Sequence, residues 1–108
     1  MKPMNYEFVI AYNAFIAGVK EMIEADYEKN NFPVELREEI DAEIGRKYMK
    51  VIKKGPGSCY VYAFIDKVTG DIYKPASWKA PAKHARGNVF AADHGLSCAG
   101  VYTIAYMR

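Results

Sequence analysis

The chain has 108 residues, 51% of them apolar, so it reads as one domain, residues 1–108, with enough apolar mass for a real core and too much for a disordered chain. No apolar run approaches the ~18 residues needed to cross a bilayer, and the Met1-Lys2-Pro3-Met4 start followed by Asn5, Tyr6 and Glu7 lacks a leader pattern. The reading is therefore a soluble, cytoplasmic protein with no membrane partner. The net charge of +2 conceals an asymmetry: residues 1–45 hold ten acids and four bases, while residues 46–108 hold eleven bases and three acids. A basic half of that kind is suited to polyanions; the plainer reading is an acidic layer complementing a basic one.

In chain order, Phe8, Tyr12, Phe15, Val19, Met22 and Ile23 recur at helical steps, with Asn5 as an N-cap. Gly18 marks a close contact on that helix. Asn30-Asn31-Phe32-Pro33 ends it. Pro33 then suits the start of a second helix with Leu36, Ile40 and Ile44 as its stripe and Gly45 as its stop. Glu35, Glu38, Glu39, Asp41 and Glu43 form the solvated face of that helix, not a set of general acids.

From residue 46 the pattern turns to strand. Lys47 to Lys53 is a first, irregular strand, and Gly55-Pro56-Gly57 a turn without Walker spacing. Ser58 to Ile65 is the clearest strand: strict alternation sets Cys59, Val61, Ala63 and Ile65 on one face and Tyr60, Tyr62 and Phe64 on the other. Asp66 to Asp71 is a hairpin loop with Gly70 supplying positive φ, and Ile72-Tyr73-Lys74 the returning strand. SWKAPAKHARG, residues 77–87, is a loop with one helical turn after Pro81. Gly95 to Gly100 is a further loop, and Val101 to Met107 a closing strand. The expected fold class is α+β: two N-terminal helices, the acidic half 1–45, packed on a mostly antiparallel sheet of about four strands in the basic half 46–108.

The chemistry concentrates around residues 73–86. Lys74, Lys79, Lys83, His84 and Arg86 can hold phosphates, and Tyr73 and Trp78 can stack on bases between them. Trp78 could equally plug a core edge. The tyrosine-rich strand face could be a base platform or a core filler, and no RNP motif accompanies it. His84, Asp93, His94 and Cys98 lack zinc spacing, and Cys59 reads as a buried free thiol. No metal, cofactor or catalytic set is expected.

The stretch GDIYKPASWKAPAKHARGNVF, residues 70–90, extended by KVIKKGPGSCYVYAFIDKVTGDIY before it and VYTIAYMR at the end, resembles a family of small proteins encoded by tailed bacteriophages. That resemblance covers the second half. It implies a phage or prophage origin and a host-takeover or anti-defence role, and carries no functional residue with it. The leading expectation is a non-enzymatic protein that binds single-stranded nucleic acid or a signalling nucleotide through the basic half, a nucleotide being buried between subunits of a homo-oligomer. The alternatives are an inhibitor of a host protein acting through the acidic helices, and a small hydrolase using His84 or His94.

Overall fold

The structure, a computed structural model, describes residues 5–104. One helix, α1 (Tyr6–Lys29), forms where the periodicity places it. Asn5 caps it: its side-chain oxygen accepts from the Glu7 amide at 2.7 Å. The stripe Phe8, Tyr12, Phe15, Val19 and Ile23 is buried, and Tyr27 continues it. The helix stops at Asn30, with Asn31 in the left-handed region at φ 51° and Phe32-Pro33 turning the chain away.

Five strands follow in a simple antiparallel meander: β1 (Glu39–Ile44), β2 (Tyr48–Gly55), β3 (Ser58–Asp66), β4 (Asp71–Pro75) and β5 (Pro81–Asn88), hydrogen-bonded in the order β1-β2-β3-β4-β5. The fold class is α+β, but with one helix where two were expected and five strands where four were expected. The second helix is the main correction. Val34–Leu36 makes only a single 3-10 turn, and residues 39–44 are strand β1. The reason is visible in the pairing. Glu39, Asp41 and Glu43 alternate with Ile40, Ala42 and Ile44, and Glu39 and Glu43 fall directly opposite Lys54 and Lys50 of β2. Asp41 reaches Lys54 at 2.9 Å and Glu43 reaches Lys50 at 3.9 Å. Cross-strand charge complementarity and a half-buried alternating face outweigh the four-residue spacing of Leu36, Ile40 and Ile44.

A second correction concerns β3. Val51 pairs with Ala63 and Ile52 with Val61, so Tyr62 is an extra residue, a β-bulge. The bulge breaks the expected alternation. Tyr60 and Tyr62 join Ala63 and Ile65 on the side facing α1, while Cys59, Val61 and Phe64 lie on the opposite side. Cys59 is exposed, and the buried thiol is that of Cys98; both are free.

The main core lies between α1 and the sheet, with Val51, Tyr62, Ala63, Ile65 and Ile72 under Phe8, Phe15 and Val19. Residues 89–104 strap its remaining edge. Val101–Thr103 bends instead of forming the expected strand, and Ile104 makes one bridge to Ala99. The rest of that expected strand, 105–107, lies outside the described residues. The strap is tied down by polar bonds: Tyr62 Oη donates to Gly100 O at 2.7 Å, and Thr103 Oγ1 donates to Tyr62 O at 2.9 Å.

Within the strap, Leu96 packs on α1 at Gly18, where an added Cβ would lie 2.5 Å from the leucine side chain. Gly95 sits at φ 82° with Ile72 Cδ1 against it and Asn88 O 3.1 Å from where a Cβ would stand. Gly95→Ala is therefore expected to cost about 2 kcal/mol, combining left-handed strain with a clash against a filled core. Thermal or urea denaturation of the variant beside Gly57→Ala, where an added Cβ meets nothing within 4 Å, checks this and isolates the packing contribution.

Candidate functional site

Two separate clusters of polar and aromatic side chains flank the sheet. The first is on the face away from α1. The hairpin joining β1 to β2 places Arg46 and Lys47 beside Lys50, and the 76–80 loop brings Lys79 to the same place. Together with Tyr48 and Phe64 these line an open hollow of about 280 Å³. The loop is shaped by its own backbone, with the amides of Ala76 and Ser77 both donating to Ala80 O. It carries Trp78 across the sheet so that Lys50 Nζ lies 3.8 Å from the centre of the indole ring, a close cation–π contact. Trp78 remains 44% exposed, so one part of its ring covers Lys50 while another faces water. Tyr48 packs edge-on against Phe64 and Tyr73, with centroids 5.8 and 6.0 Å away, which steadies an aromatic row beneath the basic rim. Burial pushes the Tyr73 hydroxyl above its ordinary value, with Asp71 adding to it.

The residues singled out from the sequence separate in space. Tyr73, Trp78 and Lys79 come together on this face. Lys74 does not: its ammonium donates to Ile104 O at 3.1 Å and fastens the strap on the α1 side. Lys83 and His84 are exposed on β5, an outer strand of the sheet, because Pro81–Asn88 is strand and not a loop with a helical turn. Arg86 is half-buried at a register shift between β4 and β5, close enough to Cys98 to oppose the upward push of burial on that thiol. Arg46, Lys47 and Lys50 were not singled out. The cue for them is register: Lys50 is brought under Trp78 only by the pairing of Lys50 with Phe64 and of Phe64 with Tyr73.

His94 and Asp93 do turn-building work. Asp93 accepts from the amides of Gly95 and Ser97, both at 2.9 Å, which holds its carboxyl below the usual carboxylate range. His94 has φ 56° and its Nδ1 lies 3.2 Å from Val89 O. Among the described residues, no three His, Cys, Asp or Glu side chains are grouped to hold a metal ion. No helix among them is long and apolar enough to cross a membrane.

A family model covers residues 5–105, from the cap of α1 to the end of the strap. The chain belongs to a family of unknown function, DUF7717. The matched span takes in the helix, the five strands and both clusters, so they belong to one DUF7717 unit. No curated protein and no solved structure matches the chain.

The second cluster of this DUF7717 chain is on the α1 side, where the helix ends. A cleft of about 420 Å³ opens between the last turn of α1, the 3-10 turn and the strap. Lys53 lies at its base with a side chain 2% exposed, and Glu38 beside it is 19% exposed. The Lys53 ammonium donates to Val101 O at 2.7 Å and lies 3.6 Å from Glu38 Oε1. Glu38 also accepts from Tyr60 Oη at 3.2 Å and from Ser58 Oγ at 2.9 Å. Its own amide donates to Tyr27 Oη at 3.0 Å. Burial lowers the proton affinity of Lys53, and the nearby Glu38 only partly restores it. The sequence reading sets Glu38 on a solvated helix face and Lys53 at the end of an irregular strand, with no link between them.

Proposed function

We propose that the chain is a non-enzymatic binding protein that holds single-stranded nucleic acid on the sheet face away from α1. Arg46, Lys47, Lys50 and Lys79 neutralise phosphates there, and Trp78 and Tyr73 offer stacking surfaces. The observation that carries this reading is the contact of Lys50 with the Trp78 ring at the edge of a hollow that Lys50 lines together with Arg46, Lys47, Lys79 and a single carboxylate, Glu43. A cation and an aromatic plane fixed together, with part of the plane still open to water, form the repeating unit of single-strand surfaces. The hollow is wide and shallow, which favours a strand laid across it over an enclosed mononucleotide. The resemblance to tailed-phage proteins supplies a setting for this reading: an accessory protein in a bacterial host, acting in takeover or against defence. Lys83 and His84, exposed on β5, extend the basic track, whereas Lys74 and Arg86 are outside it.

The test is fluorescence anisotropy of a labelled single-stranded oligonucleotide at ~50 and ~200 mM salt. Four phosphate contacts on a single strand correspond to a loss of roughly fiftyfold in affinity between the two. The Arg46→Ala, Lys47→Ala pair is expected to halve the logarithmic salt slope, and Trp78→Ala to weaken binding by ~1–3 kcal/mol with the slope retained. No binding at the lower salt overturns the proposal. Tight binding of a mononucleotide with none of the strand would replace it with the nucleotide reading.

A further inference from the structure

The Lys53 cleft lies on the other side of the sheet from the basic face and calls for its own account. We propose that Lys53 is a carbonyl-reactive lysine and that the cleft takes a small uncharged aldehyde or ketone, held as a reversible imine.

The geometry supplies the parts that imine formation needs. The amine sits at the base of a cleft large enough for a small organic molecule. A carboxylate 3.6 Å away can take and return protons. Tyr60 and Ser58 hold one oxygen each of that carboxylate, so it cannot swing away from the amine. The upper walls are aromatic: Tyr27 and Phe32 stack with centroids 5.1 Å apart on one side, and Tyr102, 72% exposed, stands on the other. These walls suit a flat or apolar carbonyl compound. With Asp26 also lining the cleft, its two carboxylates outnumber its one ammonium, which disfavours an anionic carbonyl compound such as a keto acid.

The step balances without a co-reactant. Lys53 passes a proton to Glu38, and the free amine adds to the carbonyl carbon. The C–N bond forms as the carbonyl π pair moves to oxygen. Glu38 protonates that oxygen and then takes a proton from nitrogen, leaving a neutral carbinolamine. Glu38 returns this proton to the hydroxyl, which departs as water while the nitrogen lone pair closes the C=N bond. An ammonium and a carbonyl have become an iminium and water, and the iminium charge stays beside Glu38. Tyr60 is a positioning residue in this scheme. Burial assists, because a lysine that holds its proton less tightly presents more free amine at neutral pH.

The experiment treats the intact protein with benzaldehyde and cyanoborohydride at neutral pH, which fixes any imine as a stable amine, and maps labelled lysines by mass spectrometry over time. Lys53 is expected to take the label first, ahead of every exposed lysine, because a lysine that holds its proton less tightly presents more free amine at neutral pH. Glyoxylate, a small anionic aldehyde, is expected to lose that preference. Label spread over the exposed lysines with Lys53 unmarked overturns the proposal. Equal preference for Lys53 with both aldehydes overturns the assignment to uncharged carbonyl compounds. The Lys53→Arg variant should lose only the fast label; should it fail to fold, the map of the unaltered protein still decides.

Discussion

Glu38→Ala is expected to destabilise the fold by roughly 3 kcal/mol, and Lys53→Met added to the same chain to recover most of that loss. Lys53 is almost wholly buried, and Glu38 is the carboxylate paired with it. Deleting the carboxylate leaves an ammonium out of water with Val101 O as its close oxygen partner, and removes the acceptor used by Tyr60 and Ser58. An uncompensated buried charge costs far more than an absent ion pair. Replacing the ammonium by a methionine of similar length removes that charge while keeping contact with the Tyr60 and Tyr102 rings that flank it. Urea denaturation of the two single variants and the double variant gives the coupling directly. A Glu38→Ala cost below about 1 kcal/mol would mean that water reaches Lys53 from the cleft.

The same pair illustrates which parts of the site were legible in the sequence. Met49, Val51 and Lys53 share one strand parity, and the first two are core residues. A lysine at the third position of an inward row is a cue to a buried ammonium, and it was available before the structure. Its partner is hidden, because the local spacing puts Glu38 on a helix. The spacing of Leu36, Ile40 and Ile44 fits a helix, while Ile40, Ala42 and Ile44 fit a strand equally well. Only the lysines of β2 opposite the acids of β1 decide between them, and that is a tertiary fact. The helix α1 was readable because three local signals agree: a capping asparagine, a long apolar stripe and a breaking Asn-Asn-Phe-Pro run. The Asp66–Asp71 hairpin was readable for a similar reason, with Asp66 Oδ1 accepting from the amides of Val68 and Thr69 and Gly70 at φ 79°. The bulge at Tyr62 has no local signature. It reassigned the faces of Tyr60, Tyr62 and Phe64, and with them the identity of the buried cysteine. In the basic segment, composition alone singles out Trp78 and Lys79, which the fold brings to one face of the sheet with Tyr73 and Lys50. Residues 77–87 read as a loop with one helical turn after Pro81, yet Pro81 begins strand β5 and the chain pairs with β4 on one side only, where prolines are tolerated.

Alkaline pH is the second condition expected to have a large effect, and the sign follows from the buried hydroxyls and thiol. Burial pushes Tyr12 from 10.0 up to about 12, with Asp41 adding to the effect. Between those values the unfolded chain has released a proton that the folded chain retains, so stability falls as pH rises, by about 3 kcal/mol for this residue over the interval. Burial acts in the same direction on Tyr62 and Tyr60, with Glu38 reinforcing it at Tyr60. Cys98 begins earlier: burial, then Asp93, raise it from 9.0 to about 11. Lys53 works the opposite way. Its folded value lies below the ordinary 10.5, so just under that pH the unfolded chain holds the extra proton and raising pH favours folding. Burial also raises Tyr73, so one group of Lys53's kind stands against four tyrosines and one cysteine. The combined loss over pH 9–12 is comparable with the ~5–15 kcal/mol that holds a domain of this kind together. The urea midpoint is therefore expected to be at its plateau near pH 8, to decline from about pH 9, and to collapse between pH 10 and 12, with tyrosinate absorbance rising in step with loss of the far-ultraviolet signal. Tyr12→Phe should flatten the curve above pH 10 without moving its onset, because the onset belongs to Cys98; Cys98→Ala should move the onset from about pH 9 to about pH 10. A midpoint that stays level through pH 11 would mean that these side chains reach solvent in the folded protein, and that the strap that carries Cys98 and closes over Tyr62 opens far more readily than its hydrogen bonds imply.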